Sequence, residues 1–93
     1  MSAIPVPPEV YFSDFEFDCK PYKVLRKKQF ITTLKGLDNE ENDQCYIHFQ
    51  VNSDVKSGDY LECFNQTFLV TSIEYDTYNG EPALLKAYVR TTF

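Results

Sequence analysis

Four side chains of the types that ligate zinc are spread along the chain: Cys19, Cys45, His48 and Cys63. Zinc takes such donors in a tetrahedral set. Their spacing argues against a single site. There is no CxxC pair, and Cys45 and His48 fall in an apparent strand, where residues three apart point to opposite faces. Three reduced cysteines, at least two of them small core residues, are the plainer reading, and the isolated protein is expected to hold no zinc. His48 is the only histidine, so any Cys/His or Ser/His dyad must use it, and it faces away from Cys45. The sequence has no GxSxG, no Gly-rich phosphate loop and no HExxH. Its carboxylates fall mainly in stretches read as loop or arm, and no spacing pairs two of them for acid–base work. The chain reads as non-enzymatic, with no catalytic residues, metal or cofactor.

Charge is the next signal, and it comes in blocks. Residues 1–19 carry Glu9, Asp14, Glu16 and Asp18 and no base. Residues 20–35 carry Lys20, Lys23, Arg26, Lys27, Lys28 and Lys35 and no acid. Residues 36–45 return Asp38, Glu40, Glu41 and Asp43. Such blocks suit surfaces that meet surfaces of opposite sign, or solvated faces that balance one another within one subunit. Arg26-Lys27-Lys28 beside Phe30 also fits a small-barrel surface for single-stranded nucleic acid, although the acidic stretch that follows would repel phosphate.

The elements that must position these residues are strands. Tyr22 to Leu34 reads as one long strand. Gly36 to Gln44 reads as a polar, acidic loop with Leu37 its only apolar residue. Cys45 to Val51 alternates, which predicts Cys45, Ile47, Phe49 and Val51 inside and Tyr46, His48 and Gln50 in solvent. Asn52 to Asp59 is a turn region. Asn65-Gln66 and Asn79-Gly80 read as hairpin turns between Tyr60–Phe64, Thr67–Tyr75 and Ala83–Arg90. In the last of these, Ala83, Leu85, Ala87 and Val89 oppose Leu84, Lys86, Tyr88 and Arg90. Cys45, Ile47, Phe49, Leu85, Ala87 and Val89 are expected to share one core. The fold class expected is all-β, a small antiparallel β-barrel of about five or six strands.

Residues 1–21 read as an N-terminal arm and 22–93 as the barrel domain. Four of the five prolines lie in the arm, so Ile4 to Pro8 is expected to be extended. Tyr11, Phe12, Phe15 and Phe17 give the arm large apolar area to bury on its own barrel or on a neighbour. A chain of 93 residues with a net charge of −5 and 43% hydrophobic residues is one folded domain. Nothing in it approaches a membrane span, its start does not read as a signal peptide, and its acidity argues against sequence-independent nucleic-acid binding as the main role.

Ser57-Gly58-Asp59-Tyr60-Leu61, then Phe68-Leu69-Val70-Thr71-Ser72-Ile73, the Asn79-Gly80 turn and Leu85-Lys86-Ala87-Tyr88-Val89-Arg90 form a pattern between Asn52 and Arg90. This pattern resembles the small β-barrel head–tail connector proteins of tailed bacteriophages and phage-like elements, the head-completion or stopper group. The resemblance implies a structural protein that forms a ring below the portal and its adaptor, at the virion head–tail junction, after synthesis in the bacterial cytoplasm. Its partners would be copies of itself, portal, adaptor and tail proteins, and packaged DNA as an obstructed cargo, with no membrane. By order along the chain, the channel loop would be 36–44, with Asp38, Glu40, Glu41 and Asp43. Tyr11, Phe12, Phe15, Phe17, Arg26, Lys27 and Lys28 would dock partners. The alternative is a generic small-barrel binding module for nucleic acid or a protein.

Overall fold

A computed structural model of the chain describes residues 7–10 and 18–92. Six strands account for most of them: β1 (Lys20–Arg26), β2 (Gln29–Glu41), β3 (Gln44–Gln50), β4 (Tyr60–Cys63), β5 (Gln66–Tyr78) and β6 (Glu81–Thr92). They close into an antiparallel barrel in the order β1-β2-β3-β6-β5-β4. The seam is the short pairing of β1 with β4, where Lys23, Val24 and Leu25 oppose Glu62, Leu61 and Tyr60. Closure removes free sheet edges, which suits a chain this small.

The expected all-β barrel is therefore present, with several boundaries moved. The stretch from Tyr22 to Leu34 is two strands. Lys27 and Lys28 form the turn between them, at φ 51° and 66°. The same geometry recurs at Asn42-Asp43, Phe64-Asn65 and Asn79-Gly80, each with both central residues at positive φ. Positive φ at both positions is what a type I′ hairpin needs, because its twist matches that of the strands. The acidic stretch from Gly36 is not a loop. β2 runs through it to Glu41, so only Asn42-Asp43 turns the chain. The turn expected at Asn65-Gln66 lies one residue earlier, since Cys63 pairs with Gln66. β1 begins at Lys20, inside the stretch read as arm; of the segment expected to be extended, 4–6 lies outside the described residues, and Pro8 opens a helical turn that runs to Val10.

Inward-facing side chains fill the barrel. Tyr22 and Val24 from β1, Ile47 and Phe49 from β3, Leu61 and Cys63 from β4, Val70 from β5 and Leu85, Ala87 and Val89 from β6 form one cluster, joined by Val55 from the β3–β4 loop. Phe49 meets Tyr22 edge to face, with ring centroids 5.8 Å apart. Gly36 makes room for this contact: a Cβ there would lie 2.6 Å from Ile47 Cγ2 and 2.7 Å from Phe49 Cε1. Cys45, expected in the core, is exposed near the start of β3, where the inward position is open to solvent. Val51 is only half-buried. All three cysteines are thiols rather than disulfides, and Cys63 alone is buried.

Candidate functional site

Strand direction sorts the charged segments by pole. β1, β3 and β5 all run toward one end of the barrel. That end carries the Lys27-Lys28 turn, the β3–β4 loop and the Asn79-Gly80 turn. The opposite end carries the Asn42-Asp43 and Phe64-Asn65 turns. The Lys27-Lys28 turn and the tip with Glu40, Glu41 and Asp43 are thus carried to opposite poles by β2, whereas Lys20 of the basic block lies beside Asp38. From Lys35 to Glu41 that strand advances about 20 Å.

At the basic pole Arg26 is engaged within the chain. Its Nε donates to Asp59 Oδ1 at 3.0 Å and its Nη2 to Asp59 Oδ2 at 2.9 Å, the bidentate geometry that a guanidinium makes best. Nη2 also donates to Asp54 Oδ1 at 2.8 Å, and this hydrogen bond holds the Asp54 carboxyl below its ordinary range. The Lys56 amide donates to Asp59 Oδ2. Gly58 turns at φ 93°, and its amide and that of Val70 tie the loop to β5. Each member of the Gly58-Asp59 pair thus contributes separately. Glycine makes the turn, and the buried aspartate fastens the loop to the end of β1. Lys27 and Lys28 are exposed on their turn.

At the acidic pole, Asp38 is exposed on β2 and pairs with Lys20 at 3.4 Å, a solvent-facing contact worth little. Glu40, Glu41 and Asp43 are carried by the β2–β3 hairpin tip, and all three are exposed. The structure brings these three together with each other and not with Arg26, Lys27 or Lys28. The arm residues Tyr11, Phe12, Phe15 and Phe17 lie outside the described residues.

A third cluster is not apparent from the sequence. On the outer face of β3, β6 and β5, His48 is buried, contrary to expectation, and so are Asp76, Leu84 and Lys86. His48 Nε2 donates to Asp76 Oδ2 at 2.5 Å. Lys86 Nζ sits 4.3 Å from the centre of the Tyr46 ring and 5.3 Å from that of Tyr88, a cation–π arrangement. The readable signal is Leu84-Leu85. Two adjacent leucines in an alternating strand mean that both faces are covered.

Burial lowers the pKa of His48 and outweighs the opposing hydrogen bond and charge of Asp76; the nearby Lys86 cation lowers it further. An imidazole whose folded pKa lies below its unfolded value of about 6.5 binds more protons when unfolded. Its contribution to stability is complete above that value and is lost as pH falls through the folded pKa. The melting temperature of the wild type should therefore drop more steeply from pH 7.5 to 5.5 than that of His48→Gln, which keeps a donor for Asp76. Parallel profiles would contradict this.

Among the described residues, no group of three or more His, Cys, Asp or Glu is placed to hold a metal ion. No helix among them is long and apolar enough to cross a membrane. The fold and the charged tips define a class: a closed six-strand antiparallel β-barrel with an acidic and a basic hairpin at opposite poles. Comparison with protein-family models, with curated proteins and with solved structures gave no match.

Proposed function

We propose that the chain is a structural phage head–tail joining protein, one subunit of a ring below the portal and its adaptor that closes the DNA channel and offers a surface to the tail. The observation that carries the reading is the β2–β3 hairpin. A closed barrel is a rigid base, and it projects Glu40, Glu41 and Asp43 from one pole on paired strands. Tight DNA binding draws on counterion release when cations neutralise phosphates. An acidic tip gives no such release, so it obstructs DNA without adhering to it. The similarity of residues 57–90 to connector barrels supports the same reading, and the Lys27-Lys28 pole supplies an opposite charge for a neighbour.

Inactivating the gene in its parent phage-like element should leave filled heads without tails, with DNA open to nuclease. Replacing Glu40, Glu41 and Asp43 with Gln, Gln and Asn should leave a folded protein and joined particles, but increase DNA leakage. Normal tailed particles after inactivation would overturn the proposal.

A further inference from the structure

The outer wall of β2, β1 and β4 presents side chains that the barrel does not use. Register places them on one face. Phe30 lies opposite Leu25, Leu25 opposite Tyr60, and Tyr60 opposite Leu69. All four point outward, since their neighbours Val24, Leu61 and Val70 fill the core. Phe30 is 59% exposed and Tyr60 41%. Further along the wall, Lys23 stands between Thr33 and Glu62. Beyond them Phe64, 74% exposed, borders an open cleft of about 500 Å³ shared with Lys23, Thr33, Asn65, Gln66 and Thr67.

Phe64 is unusual in two ways. It holds φ 48°, a conformation that bulky residues rarely adopt and that asparagine or glycine would take more easily. It also shows most of its ring to solvent. Backbone strain held at an exposed aromatic points to a use for that ring.

We propose that this wall binds single-stranded nucleic acid. Bases stack on Phe64, Tyr60 and Phe30. Lys23, Lys27, Lys28 and Lys35, none of them in an ion pair among the described residues, meet the phosphates. Aromatic platforms beside a basic track are the chemistry that holds single strands without regard to sequence. The cleft beside Phe64 offers a base the amides and hydroxyls of Asn65, Gln66, Thr67 and Thr33, and the Glu62 carboxylate that also lines it can accept from a base amino group while repelling an acidic protein segment. The acidic tip shares a pole with Phe64, while the lysines of this wall extend from Lys35 and Lys23 to the Lys27-Lys28 turn at the other pole. Along β2 from Lys35, Glu41 is about 20 Å away, beyond the Debye length of about 10 Å at 0.1 M salt, and Asp38, about 10 Å away, is paired with Lys20. Glu62 lies on the wall opposite Lys23. This inference does not depend on the head–tail reading.

The test is fluorescence anisotropy of the full chain with labelled dT20 and rU20, beside a duplex of the same length and an acidic Glu/Tyr copolymer. Binding should weaken with salt, with a log–log slope near −0.7 for each phosphate contacted. Phe64→Asn keeps a residue suited to the turn and removes the ring, and it should weaken binding about tenfold at an unchanged or higher melting temperature. Phe30→Ala, on another strand, should also weaken it. Lys23→Ala combined with Lys28→Ala should flatten the salt slope by roughly 1.4. Absence of dT20 and rU20 binding at low salt would overturn the proposal. So would equal affinity for the duplex, or full affinity in folded Phe64→Asn. Binding of the copolymer in place of dT20 would overturn it in favour of a protein partner.

Discussion

Phe49→Ala should destabilise the barrel by about 3–5 kcal/mol, the cost of removing a buried aromatic ring and leaving a cavity behind it. The ring is fully buried and touches structure from several directions. It meets Tyr22 edge to face, lies against Gly36, and belongs to the cluster that joins β1, β3, β4, β5 and β6. Few groups are placed to collapse into the space, because closure of the barrel fixes the strands on either side. A domain of this size has a total stability of roughly 5–14 kcal/mol, so the variant loses a large part of it. Thermal or urea unfolding followed by circular dichroism measures this directly. The melting temperature should fall by roughly 15–30 °C. An unchanged midpoint would mean that Phe49 is not at the centre of the core.

Phe49 is legible because of where it sits in a pattern. Ile47 and Phe49 alternate with polar residues, and Leu85, Ala87 and Val89 alternate on the paired strand, so the period of two assigns all five to the core. Asn79-Gly80 is legible for a different reason, since those residue types favour the positive φ of a tight hairpin. Lys27-Lys28 and Phe64-Asn65 use the same turn geometry with residues that do not advertise it. Their turns are set by strand pairing on either side, a tertiary constraint that local residue type does not carry. The same applies to residues 37–41. Their polarity reads as loop, yet β3 pairs with them and holds them extended.

His48 shows the other limit. Alternation puts it on the face opposite Ile47 and Phe49, which is correct, but period-two patterning says only which side a residue faces. It does not say whether that side is covered. His48, Leu84 and Lys86 all lie on the outward side and are all buried. The candidate site divides likewise. The acidic and basic residues are legible as blocks, but the separation of the Lys27-Lys28 turn from the acidic tip depends on the length and direction of β2. Sequence proximity groups Arg26 with Lys27 and Lys28 as a docking cation, whereas its register at the end of β1 delivers it to Asp59 and Asp54.

Gly36→Ala should destabilise the protein, with an overpacking cost of about 1–3 kcal/mol even though it adds a single methyl group. Gly36 does not need glycine for its backbone, since it is not at positive φ. Space alone excludes a side chain there. The new Cβ would approach Ile47 Cγ2 to 2.6 Å and Phe49 Cε1 to 2.7 Å, with Tyr22 Cδ2 at 3.1 Å. The first of these atoms is on a β-branched side chain with few rotamers, and the second is on a ring packed against Tyr22, so neither moves aside cheaply. Alanine also restricts the unfolded chain, which stabilises by about 0.4–1 kcal/mol, so overpacking should win by a modest margin. A double-mutant cycle separates overpacking from any unrelated effect. Phe49→Leu shortens the side chain that meets the new methyl group, so Gly36→Ala should cost less in that background than in the wild type. A coupling of about 0.5 kcal/mol or more in this direction is expected for residues in contact. Strict additivity would show that the methyl group is accommodated elsewhere, and that Gly36 does not set the spacing between β2 and the aromatic core.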